Sequence, residues 1–254
     1  MKVLASYNLK GGVGKTATAV NLAYLAAAEG QRTLLWDLDP QGAASFYYQV
    51  ETGDEGTGVK KLLEGKRDLE GLVQHTPYEG LDLLPPDFSY RKLDVSLAET
   101  RRPSEQLSRL LRPLVEAYDL VVLDTPPSLS LLAEAIFHLS DALLVPTIPT
   151  PLSLRALEQI HEHLSHKKLD DVTVLPFLSM VDRRKRLHRE PEWLIKASPW
   201  KILRSQIPYA SVVELMGVVR RPVVSFAPSS PAGVAYQSLW SEVKRRLGGL
   251  KRGG

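Results

Sequence analysis

A glycine loop, Lys10-Gly-Gly-Val-Gly-Lys-Thr16, separates a short apolar stretch (Lys2 to Asn8) from a run with helical spacing that Gly30 stops. The helical run, Thr16 to Glu29, repeats apolar residues at Val20, Leu22, Ala23, Leu25 and Ala26. Thr33 to Trp36 is apolar again and ends in the acidic cluster Asp37-Leu-Asp-Pro-Gln41. A strand, loop, helix and strand of this length close most readily as a parallel pair with the helix crossing one face. Few folds accommodate such a start.

The same alternation continues down the chain. Further strands are predicted at 81–84, 120–123, 142–146, 172–179 and 202–207. Helices are predicted at 104–117, with Ser104 as its cap, and at 129–139, 152–166 and 231–247. Thr52 to Gly58 is a glycine- and charge-rich connection, residues 182–192 form a charged excursion, and no internal repeat is evident. Apolar strands bounded by helices imply an α/β fold: one doubly wound, mostly parallel sheet with helices on both faces. A single domain over 1–254 is expected, and because the chain opens on its first strand, no N-terminal helix-turn-helix extension is expected. Ligands of such sheets bind beyond the carboxyl ends of the strands. The glycine loop, Asp37, Asp39 and Asp124 all fall there.

Composition excludes several function classes. No run approaches the roughly 18 apolar residues of a membrane span, and no cleavage-site pattern follows the first residues, so a cytoplasmic location is expected. Without cysteine the chain can hold no disulfide, thiolate zinc site or thiolate-bound iron–sulfur cluster. The net charge of +3 is unevenly spread. Residues 181–254 carry 15 Lys and Arg against 5 Asp and Glu, which suggests a polyanionic partner for one face.

Gly11, Gly12 and Gly14 let the backbone wrap with its N–H groups, those of Val13 and Ala17 included, turned toward a ligand at the N-terminus of the following helix. That makes a phosphate cradle, in which Lys15 neutralises β- and γ-phosphate oxygens and the Thr16 hydroxyl ligates Mg²⁺. Asp124, after four apolar residues, is placed to hold the same metal through water. The loop nevertheless departs from G-x-x-x-x-G-K-[ST]: Leu9 stands where the first glycine belongs, and a second lysine, Lys10, follows. Read without context, each feature has a plainer meaning. The loop is a tight strand-to-helix connection, Lys10 a surface charge, Asp37 and Asp124 turn formers, and Asp39 a helix cap.

Together, Lys10-Gly-Gly-Val-Gly-Lys-Thr16, Asp37-Leu-Asp-Pro-Gln-Gly42 and Val121-Val-Leu-Asp-Thr-Pro-Pro127 resemble the deviant Walker A P-loop ATPases of the ParA/MinD superfamily, the ParA/Soj branch above all. The likeness extends through Ala142-Leu-Leu-Val-Pro146, Met180-Val-Asp182 and Ile207-Pro208. It implies an ATP/ADP- and Mg²⁺-dependent ATPase, weak and stimulated by a partner, whose ATP-bound form is a sandwich homodimer. Lys10 is then a signature lysine that reaches across to the partner subunit's nucleotide, as an arginine finger does. Asp39 positions or activates the attacking water, Asp37 lies near the metal, and segments around Met180 and Pro208 hold adenine. Departures from the family pattern are Ala17, where a second hydroxyl near the α-phosphate is usual, Tyr209 in place of an arginine, and Ser229-Ser230-Pro231 in place of a basic site.

The resemblance further implies non-specific DNA binding on the nucleoid and partition of a plasmid or chromosome with a ParB-like centromere-binding protein. Candidate DNA contacts are Arg183, Arg184, Lys185, Arg186 and Arg189, the pair Arg220 and Arg221, and Lys244, Arg245 and Arg246, since such cations bind phosphates without reading sequence. A solvated face is the plainer meaning of each run. Two alternatives keep the switch: positioning of a protein cargo on the nucleoid, and membrane-associated division-site regulation of the MinD kind. For the last, Tyr236, Leu239, Trp240, Val243 and Leu247 share a helix face, but that spacing equally makes a core stripe, and no membrane is expected.

Overall fold

A computed structural model describes residues 1–51, 59–66, 68–86, 90, 92–169 and 171–250. The predicted connection at Thr52 to Gly58 lies outside the described residues. Eight strands form one sheet: β1 (Lys2–Ser6), β2 (Thr33–Asp37), β3 (Gln74–His75), β4 (Leu81–Leu84), β5 (Leu120–Asp124), β6 (Ala142–Thr147), β7 (Thr173–Val181) and β8 (Gln206–Pro208). Their order is β3-β4-β2-β5-β1-β6-β7-β8, and every pairing is parallel except β3 with β4.

The helices, in chain order, are α1 (Lys15–Ala28), α2 (Ala43–Tyr47), α3 (Val59–Leu63), α4 (Leu93–Ala98), α5 (Gln106–Leu111), α6 (Leu131–Leu139) and α7 (Pro151–Lys167). They continue with α8 (Arg186–Arg189), α9 (Glu192–Ala197), α10 (Ser211–Glu214), α11 (Met216–Val219), α12 (Val223–Phe226) and α13 (Pro231–Gly249). Strand side chains alternate between two cores. Val3 and Ala5, Leu34 and Trp36, Val121 and Leu123, and Leu143 and Val145 enter one, with α4 to α7 above it. Leu4, Leu35, Leu120, Val122 and Leu144 enter the other, under α1, α12 and α13. A strand covered on both faces has no polar side, which is why these segments read as unbroken apolar runs.

The doubly wound, mostly parallel sheet with helices on both faces is as expected, while several boundaries differ. The helix predicted at 104–117 is only α5, flanked by the 3₁₀ turns Pro103–Glu105 and Arg112–Leu114. Pro113 has no N–H to donate and so ends the α-helix, and Ser104 makes no capping bond because it lies inside the first 3₁₀ turn. The last strand is not 202–207 but Gln206–Pro208. The backbone N–H groups of Arg204 and Ser205 donate instead to the Glu242 carboxylate of α13, at 3.0 to 3.1 Å, which keeps them out of the ladder. Tyr236, Leu239, Trp240, Val243 and Leu247 are all buried, so the final helix presents a core stripe and not a membrane anchor. Among the described residues no helix is long and apolar enough to cross a membrane.

Candidate nucleotide site

The strand order reverses around β1, which lies between β5 and β6, and the glycine loop leaves its carboxyl end. Gly12 and Gly14 have φ of +70° and +94°, a region that costs L-residues roughly 1–2 kcal/mol. A Cβ on Gly14 would also come within 3.1 Å of Ser179 Oγ. The loop is tied down on every side. Ser179 Oγ donates to the Val13 carbonyl at 2.8 Å, and Ser6 Oγ donates to the Lys15 carbonyl at 2.9 Å. Thr18 Oγ1 donates to the Gly14 carbonyl at 2.7 Å. Asn8 bridges the Lys10 N–H (2.9 Å) and the Pro146 carbonyl (2.8 Å). A cradle fixed in this way loses little freedom when an anion enters it.

Lys15 is only 7% exposed, and its ammonium donates to the Lys10 carbonyl at 3.0 Å. Burial lowers its pKa, while Asp124 and Asp39 pull the other way. Lys10 stands at the outer edge of the loop beside the exposed Gly11 and Gly12, outside the lining of the cleft, and partial desolvation lowers its pKa as well.

Register brings the carboxylates together. Ser6, Asp124 and Asp37 are aligned across β1, β5 and β2 at the carboxyl end of the sheet. Asp37 is fully buried; its Oδ2 accepts from Ser45 N (3.0 Å) and Ser45 Oγ (2.9 Å), and its Oδ1 faces Asp39 N at 3.3 Å. Burial pushes Asp37 up to about 6 against those donors, and Asp39 adds to the rise. Asp124 is also fully buried, and neither of its carboxylate oxygens has a hydrogen-bond partner. Its pKa is raised well above the carboxylate range by burial and by the neighbouring Asp37 and Asp39, opposed by the nearby Thr16 hydroxyl and Lys15. Asp39, partly exposed, accepts from Gln41 N at 3.0 Å and lines the cleft.

Two orphaned oxygens on a buried carboxylate, beside a hydroxyl and an ammonium, call for a cation. Among the described residues no group of three or more His, Asp or Glu side chains is arranged to hold one alone. Mg²⁺ takes one or two protein oxygens and completes its shell with phosphate oxygens and water, and Asp124 with the Thr16 hydroxyl offers such a pair.

The loop opens on a cleft of about 370 Å³. Lys15, Thr16, Ala17 and Asp39 line its polar end; Met180, Ile207, Pro208, Tyr209, Ala210 and Val213 form an apolar wall. Met180 and Pro208, the residues of the expected adenine segments, both line this cleft, and Met180 adopts φ +52° there. Tyr47 and Tyr236 also line the cleft, and with Ser45, Ser179 and Asn8 they are site residues that sequence reasoning missed. Only Asn8, which ends the first apolar stretch beside the loop, carried a positional signal.

The basic residues do not share one face. Arg183, Lys185, Arg186 and Arg189 are exposed beyond the carboxyl end of β7, and Arg184 is held by both Asp182 oxygens at 2.9 Å. Arg186 lies 3.6 Å from Glu190. Arg220 stacks 4.3 Å over the Phe46 ring and donates to the Phe46 carbonyl, and Arg221 donates to Tyr78 Oη at 3.3 Å. Lys244 pairs with Glu29 at 2.7 Å, just past the last turn of α1, ~20 Å from the glycine loop at 1.5 Å per residue. Arg245 donates to the Ser241 carbonyl, and Arg246 acts on Glu242. The expected single basic surface is thus divided between opposite ends of the sheet.

The chain is similar to known proteins over most of its length. The family described as an AAA domain matches residues 1–172. The sporulation initiation inhibitor protein Soj of Bacillus subtilis is 30% identical over 95% of this chain and 98% of its own. The chromosome-partitioning ATPase Soj of Thermus thermophilus is 35% identical over 96% of each. Among solved structures, cobyrinic acid a,c-diamide synthase from Mycobacterium smegmatis with bound ADP and magnesium superposes with a TM-score of 0.81 at 25% identity, covering 98% of this chain and 96% of that one. With the glycine loop, the aligned strand-end carboxylates and a match along almost its whole length, the chain belongs to the ParA/MinD family of P-loop partition ATPases.

Proposed function

We propose that the protein is a Mg²⁺-dependent ATPase working as a nucleotide switch. Its ATP-bound form is a face-to-face homodimer that holds DNA without sequence preference. Hydrolysis, accelerated by a ParB-like centromere-binding partner, releases the DNA, and the cycle serves partition of a plasmid or chromosome on the nucleoid in the cytoplasm. The observation that carries this reading is Asp124: a buried carboxylate with two unpartnered oxygens, next to the Thr16 hydroxyl and the Lys15 ammonium.

The residues divide the work as follows. The N–H groups of residues 11–17 and the Lys15 ammonium, released from the Lys10 carbonyl, bind the phosphate chain. Thr16 and Asp124 would hold Mg²⁺, which supplies charge neutralisation at the β- and γ-phosphates. Asp39, at the open edge of the cleft, orients the attacking water, and Asp37 keeps the Asp39 loop in place through Ser45. Lys10, at the outer edge of the loop and outside the lining of the cleft, serves the partner subunit's nucleotide. The apolar wall at Met180 and Pro208 takes the adenine.

The test is DNA binding and sedimentation with ATP, with ADP and without nucleotide, at two salt concentrations. Dimers and DNA binding should appear with ATP only, and binding should weaken steeply with salt. No DNA binding with ATP at low salt would refute the partition reading, and binding to lipid vesicles in its place would point to a membrane regulator. Lys10→Ala should abolish dimerisation or stimulated hydrolysis and leave nucleotide binding; unchanged activity refutes the crossing role.

A further inference from the structure

The first turn of α1 brings Lys15, Thr16 and Ala17 to the cleft. Lys15 and Thr16 present a cation and a hydroxyl. Ala17 presents a methyl group, so beyond Thr16 the side chains of this wall offer an anion nothing to bind. Two phenol groups line the same cleft, Tyr47 from the last turn of α2 and Tyr236 from α13. Tyr236 is 2% exposed and lies near Thr18. Tyr47 is half-buried; its ring packs on the α1 and α13 side of the core and beside Phe46, with centroids 6.1 Å apart.

The Tyr47 hydroxyl has no hydrogen-bond partner among the described residues. Tyr47 lines the cleft together with Lys15, Thr16, Ala17 and Asp39. Burial and Asp124 both raise its pKa above that of a free phenol, so it stays a neutral donor at any physiological pH. A neutral donor with no acceptor of its own, on the wall of a cleft that Lys15 and Thr16 also line, is suited to an anionic oxygen.

We propose that Tyr47 is a nucleotide-binding residue, its hydroxyl donating to the phosphate chain where Ala17 offers only a methyl group. The inference rests on the nucleotide reading of the cleft and adds to it a group supplied from the acidic-loop side, not from the glycine loop. Binding would then draw α2, and with it the loop that carries Asp39, onto the phosphates.

ATP binding with Mg²⁺, followed by titration calorimetry on the full chain, tests this through a two-residue cycle. Tyr47→Phe keeps the ring and its packing, and should weaken ATP binding about tenfold or more, the effect of removing a hydrogen bond to a charged group, with the unfolding temperature of the nucleotide-free protein unchanged. Ala17→Thr adds a hydroxyl to the α1 wall of the same cleft. It should recover most of the loss in the Tyr47→Phe protein and raise affinity by a smaller factor in the wild type, where the Tyr47 hydroxyl already serves the phosphates. Wild-type affinity in Tyr47→Phe, or the same factor for Ala17→Thr in both backgrounds, overturns the proposal and leaves the nucleotide reading standing. Failure of the wild-type protein to bind ATP at all overturns both.

Discussion

Replacing Asp37 by Asn should make the nucleotide-free protein progressively more stable than wild type as pH rises from 4 to 7.5. Asp37 is fully buried beside Asp124, and its pKa is lifted from the usual 3.8 to about 6. A raised carboxylate pKa means that the folded state holds the proton more tightly than the unfolded one. Below 3.8 both states are protonated and the group costs nothing; above 6 the ionised form carries the full penalty. At 1.36 kcal/mol per unit this comes to about 3 kcal/mol, lost from wild type across that window and absent from the variant. Any fixed cost of the amide, such as a poorer match to Ser45, is the same at every pH and drops out of the trend. Relief of the neighbouring Asp124 adds in the same direction. Urea unfolding followed by tryptophan fluorescence, run on both proteins at four or five pH values, gives the difference directly. A difference that stays flat within about 0.5 kcal/mol, or that narrows with rising pH, would refute the placement of a buried, ionisable Asp37 at the strand ends.

Three further perturbations follow from the geometry. Gly14→Ala forces an L-residue to φ +94° with its methyl 3.1 Å from Ser179 Oγ, so calorimetry should show a loss of at least ~1–2 kcal/mol in stability together with weaker nucleotide binding. Ser45→Ala removes one of the two donors on Asp37 Oδ2 and should cost about 1–3 kcal/mol at pH 7.5, and less at pH 4.5, where the carboxyl is largely protonated; equal losses at both pH values would show that the bond does not serve the charge. Leu239→Ala opens a void in the layer beneath α13 and should cost about 2–5 kcal/mol by urea unfolding, whereas a membrane-facing residue would show almost none.

The central strands were legible because a segment buried on both faces leaves an unbroken apolar run, and β2, β4, β5 and β6 were located within a residue at either end. The glycine loop and Asp124 were legible for a related reason: they occupy the first positions after such runs, where a doubly wound sheet gathers its ligands. Elements decided by tertiary contact were not. Ile202 to Ser205 look like strand residues, and Leu203 N does reach the Pro176 carbonyl of β7, but Glu242, from a helix 37 residues further on, diverts the N–H groups of Arg204 and Ser205. Tyr47 and Ser45 lie in a short helix with no periodicity to reveal it, and their meaning comes from carboxylates on two different strands. Charge was visible but its pairing was not, since Lys244 meets Glu29 from 215 residues away and Arg220 meets the Phe46 ring from 174 residues away.

The in-register alignment of Ser6, Asp37 and Asp124 also bears on how the chain reaches its working state. These residues come from the beginning, the first fifth and the middle of the sequence, and Thr125 Oγ1 closes the arrangement with a bond to the Ser6 carbonyl across 119 positions. No fragment lacking β5 owns the site, and a half-assembled sheet has nothing with which to grip a nucleotide. A ligand that recognises only the completed centre withdraws finished molecules from the folding equilibrium and leaves unfinished ones untouched. Bound nucleotide, ATP or ADP, should therefore raise the resistance of the folded chain to proteolysis in proportion to its affinity.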